Sequence, residues 1–247
     1  IQLKNYLLII FLIILSGCGD DPQNSNLELK NFIKPEFSFN QTSFNCNLVS
    51  GKTLNSVERF IPKFVNSFSK IDGSSEELFF LFPLLEEGQI DTKSFKLVFN
   101  HTDMFSLDRF QLTLETLSFD EIAECDGADN LTRVLSLTSQ NILDSNVVVE
   151  ILNCSYLSEF SYATLKLVLE QFTDALLKDN LPVDIFYAEA IDSIDQFEWT
   201  NIFLSLDSRK EFVEYWKSLE VSKEIQSRLL EQSICQPSKM YRRYKVI

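Results

Sequence analysis

Four cysteines divide this chain into two parts with the same internal measure. Cys46 and Cys125 stand 79 residues apart, and Cys154 and Cys235 stand 81 apart. The hydrophobic pattern repeats with them. In the first part, Thr42 to Val49 predicts a strand ending near Cys46. Leu54, Val57, Ile61, Phe64 and Phe68 then recur at helical spacing. Leu78 to Phe82 and Phe95 to Phe99 read as apolar strands. Leu107, Phe110, Leu114 and Leu117 mark a second helix, and a strand is expected near Leu131 to Leu137. The second part begins with a strand from Val147 to Tyr156, which holds Cys154. Leu165, Val168, Leu169, Phe172 and Leu176 give its helix. Val183 to Ala190 and Phe197 to Leu204 are strands, followed by the helical stripe Phe212, Tyr215, Trp216 and Leu219. A further helix, Ile225 to Leu230, leads to Cys235 and a strand from Met240 to Val246.

Each part therefore reads strand–helix–strand–strand–helix–strand, the split βαβ or ferredoxin-like order of an α+β fold. In such a sheet the fourth strand runs antiparallel beside the first, so the start of one abuts the end of the other. Four cysteines allow three pairings, and this fold selects Cys46–Cys125 with Cys154–Cys235. The alternative is four free thiols acting as small buried hydrophobes. Pro62 falls inside the first helix stripe, where it predicts a bend or a late start.

The N-terminus carries a different signal. Lys4 precedes an apolar run from Tyr6 to Leu15, too short to span a bilayer, and then Leu15-Ser16-Gly17-Cys18. That order resembles the signal peptide and lipobox of bacterial lipoproteins. The resemblance implies that residues 1–17 are removed and that Cys18 is acylated, with the lipid bilayer as partner. It also implies an oxidising compartment in which disulfides persist. Gly19 rather than Asp follows the cysteine, which favours the outer membrane and a periplasm-facing protein. Residues 18–40 read as a flexible tether, with the first ferredoxin-like unit at 41–140 and the second at 145–247.

Charge removes several function classes. The net charge is −14, and loss of Lys4 with the leader makes it −15. A chain so acidic repels phosphate backbones, so nucleic acid is not an expected partner. The one basic cluster, Lys239, Arg242, Arg243 and Lys245, reads as charge on a solvent-facing or edge strand. Metal is not expected, because the sequence has no CxxC and a single histidine. Gly51-Lys52-Thr53 lacks the upstream glycine of a phosphate loop.

Three stretches carry a family resemblance. Cys46-Asn47-Leu48-Val49-Ser50-Gly51-Lys52-Thr53-Leu54 resembles a first strand and helix entry. Phe197-Glu198-Trp199-Thr200-Asn201-Ile202-Phe203 resembles a third strand, and Cys235-Gln236-Pro237-Ser238 a closing element. Together they are similar to a group of uncharacterised marine bacterial lipoproteins. Those proteins resemble tandem dimeric α/β-barrel domains. The resemblance implies two ferredoxin-like units joined as a pseudo-dimeric α/β barrel, with no cofactor.

The candidate site residues are His101, Glu198, Trp199, Asn201 and Phe203. His101 is the only histidine and can titrate near neutral pH. Phe197, Trp199, Asn201 and Phe203 share a strand face that suits either a small apolar ligand or ordinary sheet packing. Glu150 and Glu198 interrupt apolar strands and face either inward or to water. Two main functions follow from these residues. One is a non-enzymatic, membrane-tethered module that binds a small apolar ligand or a partner. The other is a cofactor-poor, monooxygenase-like enzyme, which requires His101, Glu198 and Trp199 to converge on one cavity. A structural envelope lipoprotein is a third reading.

Overall fold

The computed structural model describes residues 38–68, 76–85, 88–126, 132–136, 146–178, 183–190 and 193–247. The lipobox and nearly all of the tether lie outside the described residues. The described chain begins with β1 (Ser38–Leu48), so strand structure starts within the stretch read as tether. The first half continues with α1 (Leu54–Ser67), β2 (Glu77–Pro83), β3 (Ser94–His101), α2 (Met104–Thr116), β4 (Ala123–Asp126) and β5 (Thr132–Ser136). The second half has β6 (Asn146–Tyr156), α3 (Tyr162–Leu177), β7 (Val183–Ala190) and β8 (Ser193–Phe203). It ends with α4 (Leu206–Ser218), α5 (Ser222–Gln232), β9 (Ser233–Cys235) and β10 (Lys239–Lys245).

Local chemistry explains where the helices start. Each helix that directly follows a strand opens on a Thr, Asp or Ser with extended backbone: Thr53, Asp103, Ser161 and Ser205. Asp103 and Ser205 accept from the N–H groups of Ser106 and Ser208 at 2.8 and 3.1 Å, satisfying donors that have no partner inside the helix. The turn before α1 needs a left-handed residue and has Gly51 at φ 81°. The matching turn before α3 has Glu159 at φ 71°. Helix α1 begins at Leu54 and runs through Pro62, so the proline neither delays nor ends it. The amphipathic stripe holds it instead: Val57, Phe60 and Phe64 are buried against the sheet.

The sheet closes on itself. Its order is β10-β2-β3-β1-β5-β7-β8-β6, and β10 also pairs with β6. All of these pairings are antiparallel. The fourth strand of each unit is broken in two, which the sequence pattern did not anticipate. The short first pieces, β4 and β9, pair with their own β1 and β6 and place Cys125 opposite Cys46 and Cys235 opposite Cys154. Both bridges are formed. The second pieces cross to the other half, β5 to β7 and β10 to β2. The result is an α+β fold of two tandem ferredoxin-like units joined as a pseudo-dimeric α/β barrel.

Register fixes which positions correspond. Cys46 stands opposite Phe95 and Cys154 opposite Phe197, so Lys96 and Glu198 hold equivalent sites, as do His101 and Phe203. Arg133 corresponds to Arg242, because Gln41 faces Thr132 whereas Val149 faces Tyr241.

Three clusters form the core among the described residues. One, rich in phenylalanine, lies between α1, α2 and strands β1 to β3. Within it Phe110 is fully buried among Phe44, Phe64, Phe68 and Phe99. A second lies under α3 and α5 and includes Tyr187, Phe197 and Phe203. The third is inside the barrel: Phe79, Leu81, Val98, Val147, Val149, Ile151 and Ile202. Both faces of each sheet are therefore covered.

Candidate functional site in the barrel interior

Strand alternation sorts the candidate residues. On β8, Phe197, Trp199, Asn201 and Phe203 point to the helix layer, and Glu198, Thr200 and Ile202 point into the barrel. On β3, Phe95, Leu97 and Phe99 lie in the phenylalanine cluster beneath the helices, and His101 continues that face. Lys96, Val98 and Asn100 line the interior. Of the five candidates, only Glu198 reaches the barrel cavity. His101, Trp199, Asn201 and Phe203 do not, because they sit on the other face of the sheet. The convergence of His101, Glu198 and Trp199 required of the enzyme reading does not occur.

His101 has a structural setting. It is fully buried and stacks on Phe99 at 5.6 Å. Its Nδ1 lies 2.9 Å from the Asp103 carbonyl, which can only accept, so the proton belongs on Nδ1. Nε2 then accepts from the Thr42 hydroxyl at 3.1 Å. Burial lowers the imidazole pKa below its ordinary value, outweighing the Asp103 carbonyl and the charges of Asp103 and Glu76.

Trp199 and Asn201 belong to a polar clamp under α4. The indole N–H donates to Asn201 Oδ1 at 2.7 Å, and Asn201 Nδ2 donates to Glu150 Oε2 at 3.4 Å. Glu150 Oε1 accepts from Arg209 and from Ser238 Oγ, the latter at 2.9 Å. Glu150 thus faces neither solvent nor the cavity. It joins β6 and β8 to α4 and to the segment before β10. A second, partly buried set groups the hydroxyls of Tyr156 and Tyr187 with Glu189. Burial is the largest cause raising both phenol pKa values.

The interior cavity is about 120 Å³. A cavity of roughly that size holds a single benzene ring. Its wall is largely apolar, with a few charged and amide groups, of which Glu198 alone was a candidate from the sequence. Lys96 Nζ meets Glu198 Oε2 at 3.4 Å, and Thr200 Oγ1 donates to Glu198 Oε1 at 3.3 Å. Gln41 donates to Asn100 at 2.9 Å, and Asn100 to Glu77 at 3.2 Å. The guanidinium of Arg243 lies over the Phe79 ring at 4.8 Å. Burial lowers the Arg243 pKa, while Glu77 and Asp184 act to raise it. The basic cluster on β10 is therefore not on a sheet edge. The strand has a neighbour on each side, and Arg243 points inward.

Comparison with known proteins agrees with this architecture. No family model matches the chain, and no curated protein matches it. Solved structures do. A provisionally named monooxygenase from Lactobacillus acidophilus NCFM has a TM-score of 0.56 at 10% identity, over 86% of this chain and 95% of its own. Another from Fusobacterium nucleatum scores 0.54 at 9% identity, over 85% and 94%. A haem-binding protein from Thermus thermophilus scores 0.53 at 9% identity, over 84% and 92%. At these identities the likeness is one of fold. Among the described residues, no group of three or more His, Cys, Asp or Glu is placed to hold a metal.

Proposed function

We propose that this protein is a small-molecule barrel of monooxygenase-like architecture, with its ligand site in the barrel interior and its N-terminus acylated at Cys18 on the bacterial envelope. The cavity carries the first part of this reading. It is an apolar space lined by Lys96, Glu198, Asn100 and Arg243, a few oriented polar groups within a hydrophobic wall. The ligand is small, on the scale of one aromatic ring. The lipobox at Leu15 to Cys18 supports the second part.

Fold likeness to two provisionally named monooxygenases favours an enzyme-type barrel over an inert module as the second reading. In that case Glu198, held by Lys96 and Thr200, and Glu77, held by Asn100, are the carboxylates in reach of a bound molecule, and His101 has no part in the chemistry. Haem does not fit the interior cavity. Both nitrogens of His101 are engaged, the four described cysteines are bridged, and the cavity is far below the roughly 300 Å³ at which pockets for larger ligands begin.

Native mass spectrometry of the protein taken gently from its own membrane tests the interior site. A small bound mass is expected in the wild type and not in Val98→Phe, which fills the cavity. An identical spectrum for the two removes the site from the barrel. Cys18→Ser should release the protein from the membrane fraction; retention of the variant would refute the anchor.

A further inference from the structure

A second hollow opens at one rim of the barrel. It is a recess of about 540 Å³ bounded by the ends of β1 and β2, the starts of β3 and β10, and α4. Its charged lining is Lys96, Arg209 and Lys239 against one acid, Asp91. In a chain of net charge −14, that balance is an exception. Asp91 is engaged within its own turn, accepting from Ser94 Oγ at 2.6 Å and from the Lys93 N–H at 2.8 Å. Arg209 gives a terminal nitrogen to Glu150. Its buried Nε has no hydrogen-bond partner among the described residues.

Lys96 lines both the recess and the interior cavity, so it stands in the wall between them. Its contact with Glu198 is 3.4 Å, longer than the 2.7–2.9 Å of a well-made charged hydrogen bond. Both side chains keep some exposure, 16% for Lys96 and 23% for Glu198. Tyr241 lies beside them. Burial raises its phenol pKa, with Lys96 lowering and Glu198 raising it further. Lys96 thus has a movable ammonium on a flexible stem, a loosely held partner, and access to both spaces.

We propose that the rim recess admits a small organic carboxylate and that Lys96 exchanges Glu198 for the ligand's carboxylate as the ligand enters the barrel. The inference rests on the interior cavity being a ligand site and adds the ligand's class and its route. The apolar wall of Val98, Val149, Ile151 and Ile202 takes the hydrocarbon part, and Lys96 takes the charge.

Benzoate is a suitable probe, with benzyl alcohol as its neutral counterpart, titrated calorimetrically into the wild type, Lys96→Gln and Glu198→Gln. Benzoate should bind the wild type about tenfold more tightly than benzyl alcohol, the factor that one charged hydrogen bond supplies. Lys96→Gln should bring the two to parity. Glu198→Gln frees Lys96 and should strengthen benzoate binding several-fold (~1 kcal/mol) without changing benzyl alcohol. Lys239→Gln alters only the rim and, in stopped-flow mixing, should slow benzoate association; an unchanged rate overturns the recess as the route, which keeps the test intact if Lys96→Gln folds poorly. Equal binding of the two probes by the wild type overturns the carboxylate proposal and leaves the interior site standing. So does a Lys96→Gln variant that keeps its preference. Binding of neither probe overturns both.

Discussion

Removing the disulfides one at a time, then together, tests how this barrel is held. Cys46–Cys125 closes a loop of 79 residues and Cys154–Cys235 one of 81. With the chain-entropy relation, each bridge lowers the entropy of the unfolded chain by about 15 cal/mol/K, or about 4.5 kcal/mol at 25 °C. The loops do not overlap in sequence, so their effects should add to about 9 kcal/mol. That exceeds the lower part of the range of whole-domain stability, about 5–15 kcal/mol. The Cys46→Ala/Cys125→Ala and Cys154→Ala/Cys235→Ala variants should therefore each fold, with nearly equal losses. The variant lacking all four bridged cysteines should be largely unfolded in buffer. Urea titration followed by tryptophan fluorescence measures this, since Trp199 and Trp216 both pack on Phe172 and report the second half. Circular dichroism reports the whole. Losses below about 1 kcal/mol per bridge, or a four-cysteine variant no weaker than a single pair, would refute the reasoning.

Other residues give sharper local tests. Glu159 holds the left-handed conformation that Gly51 holds in the first half, so Glu159→Gly should raise stability by about 1 kcal/mol, read from the urea midpoint. Burial depresses the His101 pKa, so the unfolded chain takes up the proton first. The neutral ring's contribution is complete above pH ~6.5 and is lost as pH falls from there through the folded pKa. NMR titration of the folded protein should give a midpoint below 6.5, and His101→Gln should flatten that part of the stability profile. Glu150→Gln leaves Arg209 and Ser238 without their carboxylate and should cost about 2 kcal/mol by thermal unfolding. Pairing it with Arg209→Gln should recover part of the loss.

The duplicated order of elements and both cysteine pairs were legible because each leaves a mark in one dimension. Apolar residues recur at a period of about 3.6 or 2, and the cysteines repeat at matched spacing. Which side of each strand faces the cavity was not legible. In β8 the aromatic side looks like the natural wall for an apolar ligand, yet Trp199 and Phe203 pack beneath helices. Because helices cover one face of the sheet and the opposing strands the other, both faces are apolar, and hydrophobicity alone does not distinguish them. The charged residues carried the better signal. Lys96 and Glu198 each interrupt an apolar strand one residue after a phenylalanine, Phe95 and Phe197, and aligning the two halves sets them in correspondence. Arg243 was hidden for another reason. A basic run late in a sequence looks like an edge, and only the pairing of β10 with both β2 and β6 makes it an inner wall.

That double pairing bears on how the molecule is made. Strand β10, the stave that joins β2 to β6, is the last of the ten described strands to be synthesised. Until it docks, the long flank of β2 lies open and the chamber has a missing side. A nascent chain shorter than this can assemble its layers, but it has no room in which to hold a guest.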